Sequence, residues 1–267
     1  MRPLRLAAVL LALPISLLAQ SEGVAEFEGQ STLGPGQTMP SRAKIYTARP
    51  GVRVEMQIGT RKDERAREGR GAVPAEVSML MITRVSEPDK VYFVNDAAKT
   101  YSVLRSKDTS KTGTKYSARR LGRDTVAGFS CEKASLTSDD GSRTDLCVTR
   151  DLVPSSSWLS AMNRGGGEDG MAKALRDNGL DGFPIRWVVY GKAETTPTST
   201  FELVRFEKKS LPSSLFEVPA GYEETGPMGA FMTPEQQKAV EDALKKMSPE
   251  QRKAYEEMMK KSQTPNR

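Results

Sequence analysis

The side chains that most often perform catalysis are scarce in this sequence. There is no histidine among the 267 residues, and Cys131 and Cys147 are the two cysteines. Without imidazole, the chain lacks the commonest general base, the usual partner of a nucleophilic serine or cysteine, and the commonest metal ligand. We therefore expect that the protein is not an enzyme and that it holds no metal or other cofactor. A hydrolase that uses carboxylates or serine without histidine is one alternative.

Cys131 and Cys147 flank a turn and lie at equal distances from Asp139. An odd-length hairpin loop would place them directly opposite each other. Opposed strand residues have Cα atoms about 4.5–5.5 Å apart, which lies in the lower part of the disulfide range. We therefore predict a structural disulfide between these two residues. A redox pair is the alternative, but it lacks the close C-x-x-C spacing.

Two further motifs favour a structural role over chemistry. Asp139 and Asp140 could form a pair of catalytic carboxylates, but their serine and glycine neighbours are typical of a turn. Gly165 to Gly170 matches G-x-G-x-x-G, although a predicted helix precedes it where a dinucleotide site needs a strand. Two acidic residues within this motif would also repel a phosphate. We predict a hairpin turn at the first motif and a linker between helices at the second.

A basic stretch runs from Arg105 to Arg123. It could contact anionic lipid or an acidic partner. The interpretation that we prefer is a solvated loop and strand edge, where charge prevents edge-to-edge pairing. Tyr101 and Tyr116 provide little aromatic character, so we expect no nucleic-acid partner.

The first 19 residues have the three zones of a secretory signal peptide. Arg2 and Arg5 form a positive region, and residues 6–19 form an apolar region of 14 residues. This is shorter than the roughly 20 residues of a spanning helix. We expect cleavage after Ala19 and a periplasmic or secreted protein with no integral membrane span. Gln20 stands where a lipoprotein would have cysteine, so no lipid anchor is expected.

The elements that hold these residues are mostly predicted strands. In Val52–Ile58, apolar and polar residues alternate, as in a strand with one face in water. Similar runs predict strands at 24–31, 43–48, 77–85, 90–94, 100–104, 129–136, 143–149, 185–192, 200–208 and, more weakly, 215–218. Helices are predicted at 155–164 and 169–178, with Asp169 as an N-cap and Gly179 as a stop. This order is typical of a mainly antiparallel α+β fold.

The C-terminal segment, residues 227–267, is predicted to be a helical tail. Two tandem 15-residue repeats begin at Thr233 and Ser248, and 8 of their 15 positions are identical. Each begins with Thr or Ser, then Pro, and has Gln three residues after the cap, which predicts a capping box. An apolar stripe follows each helix. Its predicted partner-binding residues are Val240, Leu244, Tyr255, Met258 and Met259.

Several segments resemble the bacterial family known as domain of unknown function 4412. The segments that carry the resemblance are Met81–Arg84, Lys90–Asn95, Lys99–Tyr101, Thr125–Lys133, Leu146–Leu152, Gly182–Ile185 and Leu215–Tyr222. The family is similar to the periplasmic lipoprotein-carrier (LolA-like) superfamily. The resemblance implies a curved incomplete β-barrel over residues 20–226, with helices on its concave side. It carries over no catalytic residues.

On that architecture, one face of the sheet would line an apolar concavity. Its predicted ligand-binding residues are Val52, Val54, Met56, Val77, Met79, Met81 and Trp187. The same residues could instead form a filled core. Our first hypothesis is an exported binding or carrier protein for an acyl chain, a lipid or a lipidated partner protein. The alternative is a chaperone or assembly module that contacts an envelope protein through its C-terminal helices.

Overall fold

Twelve strands form one open sheet in the part of the chain that the structure describes. The structure is a computed structural model, and it describes residues 22–32, 38–59, 76–105, 114–152 and 170–226, with short pieces between 238 and 251. The strands are β1 (Gly23–Thr32), β2 (Thr38–Ala48), β3 (Gly51–Gly59), β4 (Glu76–Arg84), β5 (Glu87–Asn95), β6 (Thr100–Arg105), β7 (Tyr116–Val126), β8 (Phe129–Ser138), β9 (Arg143–Thr149), β10 (Phe183–Tyr190), β11 (Pro197–Lys208) and β12 (Glu223–Glu224). Helix α1 (Met171–Asp177) precedes β10, and a 3₁₀ turn (Ser213–Phe216) precedes β12.

The sheet consists of a first meander, β1 to β6, and a second meander, β7 to β11, which are joined by the pairing of β1 with β11. Its strand order is β12-β6-β5-β4-β3-β2-β1-β11-β10-β9-β8-β7. Neighbours are antiparallel throughout, except that β12 lies parallel to β6. The predicted antiparallel sheet is therefore confirmed.

The second meander curves strongly. Three strands separate β11 from β7, so on a flat sheet the two would lie about 19 Å apart. Their Cα atoms instead come within 8 Å, and the rings of Phe129 and Phe206 meet edge to face with centroids 6.4 Å apart. The register of β7 with β8 shifts between Arg120 and Gly122, and that of β10 with β9 shifts between Pro184 and Arg186. Such bulges bend a strand and increase its twist.

Apolar side chains are buried on both faces of the sheet. The face that carries Phe27, Val54 and Met81 is called the inner face, and α1 adds Ala172 and Leu175 to its core cluster. On the opposite face, a second cluster includes side chains of β4 and β5. The segment after β11 contributes to this cluster Leu211 and Phe216. Both faces of the first meander are thus shielded from solvent. The segment that follows β11 covers the face opposite the inner face.

Two predictions about elements are wrong, and one strand was not predicted. The expected solvated edge is present, since β7 ends the strand order and is largely exposed. That it is an 11-residue strand was not predicted, because its charged residues and its bulge obscure the alternation. Residues 215–218 belong to a 3₁₀ turn and its exit instead of a strand, since Phe216 is buried by packing, without ladder hydrogen bonds. Helix α1 begins after Gly170, which has no side-chain cap, so Asp169 is not its N-cap.

The end of α1 follows the prediction closely. Gly179 has a φ of +60°, its N–H donates to the Arg176 carbonyl, and the Leu180 N–H donates to the Leu175 carbonyl. These bonds form a Schellman stop, in which a left-handed residue ends the helix. The other predicted helix, 155–164, lies outside the described residues, as do the signal segment and nearly all of the motif Gly165–Gly170.

A small part of the C-terminal segment is described. The Ser248 N–H donates to Oε1 of Gln251 at 2.9 Å, and the Gln251 N–H donates to Oγ of Ser248 at 3.2 Å. These bonds form the capping box that the sequence predicts for the second repeat. Leu244 lies in a helical stretch; the other predicted partner-binding residues, Val240, Tyr255, Met258 and Met259, lie outside the described residues. Within the described ranges, no helix is long and apolar enough to cross a bilayer.

Candidate functional site on the inner face

The strand register aligns the predicted ligand-binding residues of β3 and β4 on the inner face. Val54 lies opposite Met81, and Met56 lies opposite Met79. Met81 in turn faces Phe93 of β5. Because side chains on a strand alternate between faces, residues directly opposite one another point to the same side. The result is an apolar strip that crosses the first meander.

Trp187 extends the inner face onto the second meander. Its ring stacks on Phe201 of β11, with centroids 5.0 Å apart, and lies 4.8 Å from the ring of Phe27 on β1. Trp187 is only 7% exposed and belongs to the same buried cluster as Val54 and Met81. Offset aromatic contacts of this kind add to the stabilisation from area burial. The structure thus places Trp187 in a packed part of the inner face.

A glycine allows the central strands to approach closely beside this aromatic group. Gly29 of β1 lies opposite Phe201. A Cβ atom at Gly29 would lie 1.8 Å from the Thr200 carbonyl oxygen, far inside van der Waals contact. Residue 29 therefore needs to be glycine for β1 and β11 to pair in this way.

Burial of the inner face decreases towards one end of β3 and β4. Val52 and Val54 are 1% and 3% exposed, whereas Met56 on the same strand is half-buried. On β4, Met81 is 4% exposed and Met79 is half-buried. The inner face is therefore packed around Val54 and Met81, and partly open around Met56 and Met79. Methionine has a flexible, polarisable side chain that adapts to irregular apolar partners.

Six of the seven predicted ligand-binding residues thus share one apolar cluster. Four of them, Val52, Val54, Met81 and Trp187, are buried, and Met56 and Met79 pack against the cluster edge. The backbone of Val77 lies in β4 opposite Ile58, but its side chain lies outside the described residues.

Two arginines hold the C-terminal end of α1 beside the inner face. Nη2 of Arg120, from β7, donates to the Asn178 carbonyl at 2.7 Å, and Nη2 of Arg150, after β9, donates to the Gly179 carbonyl at 2.8 Å. Cations at this end of a helix complement its dipole. Leu175 of α1 is fully buried. The helix is therefore fixed by an apolar contact on one side and by charged hydrogen bonds at its end.

A polar cleft of about 270 Å³ opens beside these arginines. Two of its carboxylates are already paired, Glu132 with Arg120 at 2.9 Å and Asp181 with Arg150 at 3.0 Å. Across the described ranges, no group of three His, Cys, Asp or Glu side chains could hold a metal ion. Ser130, Thr149 and Asp151 also line the cleft, and the Thr149 hydroxyl accepts a hydrogen bond from the Asp151 N–H at 3.3 Å.

The predicted disulfide between Cys131 and Cys147 is present, with Cα atoms 5.4 Å apart. The predicted direct opposition of the two residues is wrong, because Cys147 lies opposite Lys133 and Cys131 is its diagonal neighbour. The turn is centred one residue later than we expected, with Thr137 paired to Arg143.

Asp140 sets that register. Its Oδ1 accepts hydrogen bonds from the Ser138 hydroxyl, from the Ser142 N–H at 2.9 Å and from the Ser142 hydroxyl at 2.8 Å. These donors, the Ser138 hydroxyl above all, lower the pKa of the Asp140 carboxyl to about 2. The prediction that Asp140 is a turn residue is therefore confirmed, and its altered pKa has a structural cause.

A network of charged residues flanks the disulfide and extends from β7 to β11. Asp124 of β7 lies opposite Cys131, and Arg186 of β10 lies opposite Cys147. Nη1 of Arg186 reaches Oδ2 of Asp124 at 2.7 Å, and its Nε binds Glu202 of β11 at 2.6 Å. Sequence reasoning missed this network, since it depends on the order of the strands. It also missed Phe27 on the inner face, although the alternation of Ala25, Phe27 and Gly29 is a usable signal.

The fold and the inner face together define a class of protein: a large, curved, open antiparallel sheet with an apolar face and a helix beside it. The chain belongs to the family described as domain of unknown function DUF4412, whose model matches residues 36–222. No curated protein matches the sequence significantly.

Solved structures resemble the fold at low sequence identity. An uncharacterized conserved protein from Thermus thermophilus is 10% identical, covering 78% of this chain and 91% of that one, with a TM-score of 0.42. MucB in the Pseudomonas aeruginosa MucA/MucB complex is 13% identical, covering 76% and 56%, with a TM-score of 0.37. A LolA superfamily protein from Nitrosomonas europaea is 11% identical, covering 74% and 90%, with a TM-score of 0.31. Scores below 0.5 support no conclusion about function.

Proposed function

We propose that the protein is an exported, non-enzymatic binding or carrier protein for an extended apolar ligand, such as the acyl chain of a lipid or of a lipidated protein. The ligand would lie on the inner face and enter at Met56 and Met79. The observation that carries this proposal is the change in burial along β3 and β4, from the packed Val54 and Met81 to the half-buried Met56 and Met79. An apolar strip that is open at one end suits a long, flexible apolar chain.

The chemistry of the inner face supports an apolar ligand over a polar one. From β2 to β4, the row through Met56 and Met79 is apolar and begins at Ala43. The row through Met81 is apolar from Ile45 to Phe93 and ends at Ser102 of β6. Burying each methylene of an acyl chain on such a surface contributes about 0.8 kcal/mol. Each added methylene should therefore tighten binding about fourfold until the face is filled.

The test is a titration of the mature protein with fluorescent fatty-acyl probes of increasing chain length. We expect saturable binding with a micromolar or lower Kd, and Met79→Lys should weaken it at least tenfold, because the ammonium group would lie in the path of the chain. Met79 suits this test better than Met81, which is 4% exposed, so that a lysine there would disturb the fold.

Ser78→Lys is the matched control, since Ser78 is exposed on the same strand and its side chain points away from the inner face. The proposal fails if affinity does not depend on chain length, or if Met79→Lys and Ser78→Lys have equal effects.

The second candidate function is an interaction module that acts through the C-terminal helices. The capping box of Ser248 and Gln251 favours it, because this motif stabilises the start of the second repeat helix. A protein truncated after Gly226, which lacks the C-terminal repeats, distinguishes between the two candidate functions. If the carrier proposal is correct, this truncated chain keeps the affinity of the full chain for the acyl probe.

A further inference from the structure

The outer edge of β7 is left without a partner strand in the described part of the chain. β7 ends the strand order, and the Lys115 carbonyl next to it accepts a hydrogen bond from the Asp139 N–H at 3.0 Å. In an antiparallel pair, backbone groups alternate between the two sides of a strand. The backbones of Ser117 and Arg119 therefore bond to β8. Those of Tyr116, Ala118 and Arg120 point outwards, each with a donor and an acceptor.

The side chains along this edge are basic and mostly unpaired. Lys115, Arg119 and Arg123 are exposed, and none of them makes an ion pair with an acid in the described ranges. Elsewhere on the sheet, cations lie beside acids of neighbouring strands, as Lys44 does with Glu26 at 3.0 Å. The positive charge at the β7 edge is therefore largely uncompensated. It disfavours pairing with a second copy of the same edge and favours an acidic strand.

The edge also limits the length and pattern of what can pair with it. The bulge between Arg120 and Gly122 interrupts the regular backbone, and Gly122 has a φ of +108°. A regular partner strand therefore fits residues 115–119, a span of about 17 Å. This partner strand would place acidic side chains opposite Lys115 and Arg119. It would place apolar side chains opposite Tyr116 and Ala118, which are half-buried.

We propose that the β7 edge is a docking site for an extended acidic segment of a partner polypeptide, which adds a thirteenth strand to the sheet. The segment has the pattern acidic–apolar–polar–apolar–acidic. Backbone hydrogen bonds supply the attachment, and charge supplies the selection. Tyr116 and Ala118 pack against the core cluster of the inner face, so the apolar side chains of the added strand would extend that face. The proposal does not depend on an apolar ligand.

The test is fluorescence anisotropy of the mature protein with a labelled, capped peptide that contains Glu-Val-Thr-Val-Glu. We expect a micromolar Kd, because so small an interface is weak, and the affinity should fall as salt rises. Arg119→Glu should weaken binding at least tenfold. Arg49→Glu makes the same charge change in the exposed turn between β2 and β3 and should have little effect.

Two modified peptides separate strand addition from simple charge attraction. A peptide N-methylated at both valines keeps its charge but loses the amides that would face Tyr116 and Ala118, so it should not bind. A Lys-Val-Thr-Val-Lys peptide should bind the Lys115→Glu, Arg119→Glu double variant in preference to the natural protein.

Three results would overturn the proposal. The first is equal binding of the N-methylated peptide. The second is a protein that does not bind the peptide but attaches to phosphatidylglycerol vesicles in a manner that depends on Arg119. That result would make the edge a lipid-binding surface. The third is Arg119-dependent self-association in sedimentation experiments. Circular dichroism spectra of each variant establish that the fold is retained.

Discussion

Asp140 shows how one side chain sets the register of a hairpin. The Ser, Asp and Gly composition of 138–141 was enough to predict a turn between β8 and β9, and the cysteine spacing was enough to predict the disulfide. The register was not predictable, because it depends on which aspartate accepts the hydrogen bonds. Asp140 accepts them from Ser138 and Ser142, and this choice moves Cys131 to a diagonal position relative to Cys147.

The low pKa of Asp140 predicts a pH-dependent contribution to stability. Its pKa is about 2 in the folded protein, below the ordinary value of 3.8. The stabilisation is therefore fully present above about pH 4 and is lost as the pH falls through about 2. Asp140→Asn should lower the melting temperature at pH 7, and its difference from the natural protein should shrink between pH 4 and pH 2.

Asp139→Asn is the control for this experiment, because the Asp139 carboxylate accepts none of the hydrogen bonds described for the turn. Calorimetry at several pH values measures both variants. A difference between Asp140→Asn and the natural protein that stays constant down to pH 2 would contradict the assignment.

At the scale of elements, regular alternation was predictable and edge structure was not. The alternation in Val52–Ile58 led directly to β3 and to the inner-face positions of Val54 and Met56. β7 was missed, because it is an edge strand in which four of the 11 residues are charged, so apolar alternation is weak. β12 was also missed, since two residues pairing with β6 give no periodic signal.

The pairing of β12 with β6 indicates where the folded domain ends. The Glu223 N–H donates to the Lys99 carbonyl at 3.1 Å, and the Thr225 N–H donates to the Tyr101 carbonyl at 2.7 Å. A chain that stops after Gly226 keeps both bonds and should melt at nearly the temperature of the full chain. A chain that stops after Tyr222 loses both, which costs about 2 kcal/mol and lowers the melting temperature by about 4–8 °C.

Thermal unfolding of the two truncated proteins and the full chain measures this difference. Aggregation of the chain that stops after Gly226 would mean that the C-terminal repeats belong to the core. The proposed division into a sheet domain and a separate tail would then be wrong.

At the scale of the whole molecule, the antiparallel sheet followed from the sequence, whereas the pairing that joins its two meanders did not. Successive hairpins explain the order within each meander. The pairing of β1 with β11 joins residues far apart in the chain, such as Ser31 and Ser199, which are 168 positions apart. No local pattern encodes such a pairing. Whether the inner face is open was equally unpredictable, because alternation is the same for a filled core and for a ligand-binding face.

Export is the prediction that concerns the whole chain. We expect the mature protein to begin at Gln20 and to be recovered from the periplasmic fraction, as measured by N-terminal sequencing. Replacing Arg2 and Arg5 by glutamate should block export, because the signal needs a positive start, while lysine at both positions should preserve it. Recovery of intact Met1–Ala19 in tightly membrane-held protein would contradict the expectation.

The pairing of β1 with β11 also has a consequence for the order of folding. An exported chain crosses the membrane with its N-terminus first, so β1 can form its hairpin with β2 before β11 has emerged. During that interval one side of β1 is an unpaired edge, and the ring of Phe27, which becomes 1% exposed in the folded protein, is not yet covered by Trp187. Such a late, long-range contact slows folding and lengthens the time for which an aggregation-prone edge is exposed. Partly emerged chains that still lack β11 are therefore the species most dependent on molecular chaperones.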